Sequence, residues 1–305
     1  MSDIILHQYT DSPFSEKIRV VFGLKDLGWQ AVEIPSIMPK PDLMPLTGGY
    51  RRTPVMQIGA DIYCDTQLIV RELERHFPEP TLHPYGEGLD YALMMWTDRP
   101  MFQAGVGLVF SQLPEIDPAF IADREAMTGQ KGFMGQLTAA APHLQEQLRG
   151  HLSLVESQLA DGRAFLQGDQ PSLADVNLYN PVWFLSRGEA DPQVGAFAAF
   201  PNTLAWRERM VSIGHGNRAE ITGEQALDIA KKATSTVTEG VDPAEPKGLR
   251  VGQSVVVMPD DYAQDPVAGT LVMSSANEVA IRRSDERVGE VVVHFPRIGF
   301  IVQPV

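Results

Sequence analysis

Along the first 80 residues the apolar positions change their spacing from one segment to the next. Ile4–Gln8 is a short apolar run of the length expected for a buried strand. After Pro13, the residues Phe14, Ile18, Val21 and Phe22 fall at i, i+4, i+7 and i+8, the stripe of an amphipathic helix. Gly28 closes that helix and residues 30–34 form a second strand. The Pro- and Gly-rich stretch 35–50 is irregular, with a short helix expected around residues 42–46. Val55–Ile58 and residues 61–63 flank Gly59-Ala60 and predict a tight hairpin. Asp65 then opens a helix through Leu68, Ile69, Leu73 and Phe77, stopped by Pro78 and Pro80. A strand–helix–strand unit favours a right-handed parallel crossover, so the segment is a small α/β domain.

Helical spacing dominates from there to about residue 236, with clear segments at 91–110, 137–159 and 223–233. Ser172-Leu-Ala-Asp175, preceded by Pro171, resembles a capping box with Asp in place of Glu: the hydroxyl takes a free amide of the first turn and the carboxylate returns to the cap amide. The helix that follows carries Val176, Leu178, Tyr179, Val182 and Trp183, apolar enough for the centre of an all-α domain. Residues 234–247 are a polar connector. Beyond it, apolar runs at 254–258, 269–273, 278–281, 290–295 and 300–302 alternate with short turns, the spacing of a small antiparallel barrel or sandwich of about five strands. The expected organisation is therefore an α/β domain over 1–80, an all-α domain over 88–236 and a small all-β module over 248–305.

Composition narrows the partners. The chain has 305 residues, 44% of them hydrophobic, and a formal net charge of −14. Residues 1–80 carry 8 basic and 11 acidic side chains, residues 81–240 carry 11 and 19, and residues 241–305 carry 6 and 9. Every part is net negative, which argues against nucleic acid and anionic membranes as partners. The single cysteine, Cys64, excludes an internal disulfide framework. No leader pattern or span of about 20 apolar residues occurs, so a cytoplasmic location and no membrane are expected. The seven histidines form no His-x-x-x-His pair, and no metal is expected.

Three segments carry candidate chemistry. Tyr9-Thr10-Asp11-Ser12-Pro13-Phe14-Ser15 joins the first strand to the first helix. Ser12 is at the least an N-cap before a helix-opening proline. A hydroxyl there also sits at the positive end of a helix dipole, where thiolate is favoured over thiol. Arg51-Arg52-Thr53-Pro54 leads into a strand, and Pro54 marks a special backbone geometry, with a cis bond as one form of it. In Cys64-Asp65-Thr66 the acidic and hydroxyl side chains cap the next helix.

Together these segments resemble the glutathione transferase superfamily, in its serine-type tau- and zeta-like forms. Ser12-Pro13-Phe14 resembles the Ser-Pro-Phe of the plant tau class, Arg51-Arg52-Thr53-Pro54 its basic-basic-aliphatic-Pro, and Cys64-Asp65-Thr66 its Cys-Glu-Ser. Ser172-Leu-Ala-Asp175 is similar to the family's capping motif. The resemblance covers roughly residues 1–235 and leaves the β-module unexplained. It implies a thioredoxin-like first domain and glutathione as co-substrate, with Ser12 donating a hydrogen bond to the sulfur. Thr53, before Pro54, would pair through its backbone with the cysteinyl unit. Asp65 and Thr66 would hold the γ-glutamyl end, and Lys40 or Arg51, with Arg52 behind them, the glycyl carboxylate. Ser12 and Ser15 stand where a glutaredoxin has sulfur, so thiol–disulfide exchange is disfavoured. Conjugation, displacement or glutathione-assisted isomerisation of a small electrophile is expected instead. Tyr9, Phe14, Met95, Trp96, Arg99 and Phe102 are candidates for the second-substrate pocket, although a Met and aromatic stripe also suits a core. Arg99 facing a cleft would favour a carboxylate-bearing electrophile. The resemblance further implies a homodimer. The competing expectation is a non-catalytic scaffold that uses the β-module for partner contacts.

Overall fold

The computed structural model describes residues 4–113, 115–186 and 195–305. The first domain runs β1 (Ile4–Gln8), α1 (Pro13–Leu24), β2 (Gly28–Glu33), α2 (Met44–Thr47), β3 (Val55–Ile58), β4 (Asp61–Cys64) and α3 (Thr66–His76). β1 pairs β2 in parallel and β3 antiparallel, and β3 pairs β4 across the Gly59 turn, where φ is +61°. The elements are those the periodicities predict, and their arrangement is the thioredoxin-like one that the resemblance implies. The uninterrupted apolar strands follow from burial on both faces. Ile4, Leu6 and Met56 join one core with α1, α3 and the helical domain, whereas Ile5, Val55 and Ile62 join a second core on the opposite face.

The helical domain comprises α4 (Glu87–Trp96), α5 (Phe102–Gln112), α6 (Pro118–Thr128), α7 (Phe133–Gln158), α8 (Leu173–Ser186) and α9 (Pro201–Ile213). The single helix expected over 91–110 is two, joined by a π-helical turn at Thr97–Met101. Pro100 lies in that turn and has no N–H to donate, so the hydrogen-bond ladder slips there. α8 is the buried centre, as expected from its apolar content. The Asp175 carboxylate does return to the Ser172 amide (3.0 Å), but the Ser172 hydroxyl donates to that carboxylate (2.9 Å). Asp175 also receives the Leu166 amide and Trp206 Nε1 (both 2.8 Å), so it ties three segments together.

The C-terminal third consists of β5 (Asn217–Glu220), α10 (Gly223–Lys232), β6 (Gly240–Val241), β7 (Ser254–Pro259), β8 (Val267–Ser274), β9 (Glu278–Asp285), β10 (Gly289–Pro296) and β11 (Phe300–Pro304). The five long strands expected beyond residue 248 are present as an antiparallel set, β11-β7-β8-β9-β10. They do not stand apart from the first domain. β10 lies parallel to β4, with Val292, Val293 and His294 opposite Asp61, Ile62 and Tyr63. The described residues thereby form one sheet of eleven strands, extended at its other edge by β5 beside β2. Val255, Val257, Ile281, Val293 and Phe295 complete the second core against Ile5, Val55 and Ile62, with Ala226, Leu227 and Ala230 of α10 packed on the same side. No helix is long and apolar enough to cross a membrane among the described residues.

Candidate functional site

Two helix N-termini and one proline loop converge beside the sheet. Ser12 caps α1 in extended conformation, accepting the Ser15 amide at 3.2 Å, and Pro13 occupies the first helical turn. Ser12 is only 1% exposed and lies beside the Tyr9 phenol. Burial pushes the Tyr9 phenol above its ordinary range, against the opposing charge of Arg124. Ser15 Oγ is buried and has no hydrogen-bond partner among the described residues.

The Thr53–Pro54 bond is cis. Lys40, 4% exposed, reaches back to this loop, and its Nζ donates to the Arg51 carbonyl and to Thr53 Oγ1, both at 2.9 Å. Burial lowers the Lys40 pKa to about 8, helped by the neighbouring charges of Arg124 and Arg51. The two arginines beside the proline are each taken by a carboxylate from elsewhere. Arg51 pairs with Asp123 of α6, which also holds Arg124. Arg52 pairs with Asp261 and donates to the Tyr262 carbonyl, its guanidinium 3.9 Å from the centre of the Tyr262 ring.

Asp65 caps α3, accepting the Gln67 amide at 2.9 Å. Its φ of +73° is the left-handed region that a β-carbon disfavours. Such a conformation persists only where surrounding contacts hold it, and it turns the acidic residue and Thr66 to the mouth of the helix. A cleft of about 100 Å³ opens there, lined by Thr53, Pro54, Asp65, Thr66 and Gln67 on one side and by Phe14, Met94, Met95, Asp98 and Arg99 on another. The π-helical turn carries Asp98 and Arg99 into this wall. Asp98 receives Lys17 Nζ at 2.6 Å, an ion pair that ties α1 to the helical domain.

The structure thus gathers Phe14, Arg52, Thr53, Pro54, Asp65, Thr66, Met95 and Arg99 around one cleft. Ser12, Tyr9, Lys40 and Arg51 form an adjoining cluster that does not border it, joined to it through Thr53. Trp96 and Phe102 also lie off the cleft. Trp96 Nε1 donates to His151 of α7 at 3.1 Å, and Phe102 packs tilted against Phe14, with ring centres 4.7 Å apart and planes at 58°. Arg99 faces the cleft, and its guanidinium lies 3.8 Å from Asp260. Sequence reasoning missed Asp260, Asp261, Tyr262, Ile298 and Gly299, which come from the far end of the chain. No spacing rule could place them beside Thr53, because their position depends on how β10 meets β4. Among the described residues no group of three or more His, Cys, Asp or Glu side chains is placed to hold a metal ion.

Known proteins carry the same combination of elements. Residues 6–81 match the family model of the glutathione S-transferase N-terminal domain, and residues 106–217 match a domain of unknown function (DUF7962). The crystal structure of a GST-like protein from Pseudomonas syringae is 36% identical over 100% of both chains, with a TM-score of 0.84. The chain belongs to the glutathione transferase-like family. Because that match runs the full length, it includes the C-terminal strands that neither family model reaches. More distant members share the fold of the first two domains. A glutathione S-transferase from Rhodospirillum rubrum F11 is 20% identical, covering 68% of this chain and 88% of its own, with a TM-score of 0.53. A rice GST in complex with glutathione is 17% identical, covering 74% and 94%, with a TM-score of 0.53. No curated protein matches the chain.

Proposed function

We propose that the protein is a glutathione transferase that adds the glutathione sulfur to a small electrophile by conjugation, displacement or glutathione-assisted isomerisation. The observation that carries this reading is the cleft in which cis-Pro54 and Thr53 face the capped, strained N-terminus of α3 at Asp65 and Thr66. An extended thiol peptide suits that cleft. Its backbone pairs with Thr53, its terminal ammonium meets the Asp65 carboxylate, and its terminal carboxylate meets the Thr66 hydroxyl and the helix amides. The relative crystallised with glutathione supports the same ligand.

At the other end of the ligand, Lys40, in the cluster joined to the cleft through Thr53, is the cation assigned to the glycyl carboxylate. Among the described residues the hydrogen-bond partners of its Nζ are neutral oxygens, whereas Arg51 and Arg52 already hold carboxylates. A carboxylate arriving beside Lys40 offsets the burial that lowers its pKa. Ser12 at the positive end of α1 then stabilises the thiolate, with the Tyr9 phenol orienting the hydroxyl. The reaction gains from the lowered thiol pKa and from holding nucleophile and acceptor together.

Replacing Ser12 by Ala tests the role. Turnover should fall about 100-fold, the cost of losing one donor to a developing or resident anion. The ultraviolet thiolate absorbance of bound glutathione should titrate at higher pH. Unchanged turnover together with an unchanged titration would remove Ser12 from the mechanism. A chain that fails to bind glutathione in calorimetry would remove the transferase reading altogether.

A further inference from the structure

The helix α6 is fastened by charge where a helix is ordinarily fastened by an apolar stripe. Its apolar side chains Phe120, Ile121 and Met127 are only half-buried, and its one fully buried residue is an acid, Asp123. Asp123 pairs with Arg51 of the proline loop and with Arg124 at 2.7 Å, and it accepts the Met38 amide at 3.0 Å. Arg124 also donates to the Ser36 carbonyl at 3.1 Å. Two further contacts hold the helix: the Ala263 amide donates to the Met127 carbonyl at 2.8 Å, and the Phe120 and Phe110 ring centres lie 5.6 Å apart. After α6 the chain is exposed from Gly129 to Gly132, and both of these glycines have φ +72°, so the helix ends on a sharply turned surface loop.

Lys40, Arg51 and Arg124 meet at this point, and among the described residues the ion pairs they make all go to Asp123. Three cations thus share one acid, and a buried surplus of positive charge favours a further anion. The same cluster encloses the side chain assigned to the thiolate. Ser12 is buried and does not border the cleft, and Tyr9 lies beside it. The Tyr9 ring is in turn 5.9 Å from Lys40 Nζ and feels the charge of Arg124. A sulfur held in the cleft therefore reaches Ser12 only after part of this cluster moves.

We propose that α6 is a latch on the Ser12, Tyr9 and Lys40 cluster, released when the glycyl carboxylate of glutathione replaces Asp123 as the partner of Arg51. The inference rests on glutathione being the ligand of the cleft. Breaking the Asp123 pairs with no substitute leaves buried cations unpaired, which is costly. Exchanging one carboxylate for another keeps the cations paired while Asp123 moves out to water. The latch opens to a ligand with a carboxylate at that end and stays closed to one without it. Asp123 is a positioning residue, since it touches no reacting atom and acts through α6.

Amide hydrogen exchange on the full chain tests the latch, because the Met38 and Ala263 N–H groups both donate to α6. Saturating glutathione should speed exchange at both amides at least about tenfold over the ligand-free protein. Glutathione monoethyl ester, with its glycyl carboxylate blocked, should bind more weakly in calorimetry and, at saturation, leave both rates within about twofold. Asp123→Asn keeps the shape of the side chain and removes its charge. It should speed the same amides about tenfold without ligand and bind glutathione about tenfold more tightly, because no closed state has to be opened first. Circular dichroism should show it folded as the parent, and the two ligands on the parent decide the matter even if it is not. Bound glutathione that leaves both amides unchanged or slowed overturns the latch, as does an ester that speeds them equally. Weaker glutathione binding by a folded Asp123→Asn also overturns it, because Asp123 would then hold Arg51 ready for the ligand. If the parent binds neither glutathione nor its ester, glutathione itself is the wrong ligand, and the latch falls with that reading.

Discussion

Two of the attachments that hold the C-terminal region to the rest of the molecule are built from opposite materials. At the seam, β10 lies in register on β4, and His294 is buried between two carboxylates, 2.6 Å from Glu278 and 3.2 Å from Asp61, with its ring stacked 4.5 Å from Tyr63. Asp61 is further held by Ser235 and by the Thr236 amide at 2.9 Å, so the connector is drawn onto the same point. Across the cleft, residues 260–263 form a strap held by ion pairs whose acidic partners reach the surface, although the Arg52 side chain is only 15% exposed. The Asp261 side chain is 36% exposed, and Arg99 and Asp260 are 48% and 44% exposed. A buried charge that loses its partner is costly, whereas an exposed pair contributes little. The seam is accordingly the structural joint and the strap the adjustable one.

The sharpest way to break this contrast is His294→Ala. It strands Asp61 and Glu278 with no cation between them, and the chain should lose about 3–5 kcal/mol of stability, read as a lower midpoint in urea. A loss below about 1 kcal/mol would make the seam no stronger than a surface pair. The same joint predicts a pH dependence. Burial alone would lower the His294 pKa, but its hydrogen bonds to Asp61 and Glu278 raise it to about 9 from 6.5. A raised folded-state value means the stabilisation is complete below about pH 6.5 and is lost as the pH rises through about 9. Urea midpoints should fall between those limits, and a flat profile would show that His294 is not the cation of the seam.

Smaller effects are expected at the strap. Gly299 has φ +87°, and a β-carbon there would come 3.2 Å from the Arg99 guanidinium. Gly299→Ala should therefore cost about 1–2 kcal/mol, chiefly from the backbone. Asp261→Ala should change stability by less than about 1 kcal/mol. A large loss of stability in Asp261→Ala would erase the distinction between the two joints.

Much of the fold was legible in the chain because it is local. The strands at 4–8 and 55–58 and the helices opened by Pro13 and Asp65 follow from period, caps and breakers, and all five C-terminal strands stand where alternation and turn residues put them. β5 was not legible, since Asn217–Glu220 is polar and surface-lying with no apolar alternation, and its pairing with β2 rests on the backbone ladder and on Arg218, which reaches Glu33 and the Trp29 ring. The break at Pro100 was concealed by an apolar stripe that continues on both sides of it. Within the site, the motifs at Ser12, Pro54 and Asp65 were visible because each is a short local device. What Arg51, Arg52 and Arg99 do was not visible, because their partners Asp123, Asp261 and Asp260 are distant in sequence.

The sequence by itself determined the three kinds of segment, the thioredoxin-like start and the residues that form the floor of the cleft. Periodicity and capping act over a few residues, and those signals survive in any surroundings. Only the tertiary structure decided that the last strands join the first sheet instead of closing on themselves, and that their loops wall the cleft. That choice depends on an edge, β4, whose backbone groups accept whichever strand arrives in register. The buried charges of Asp61, His294 and Glu278, 233 residues apart at their extremes, fix which one does.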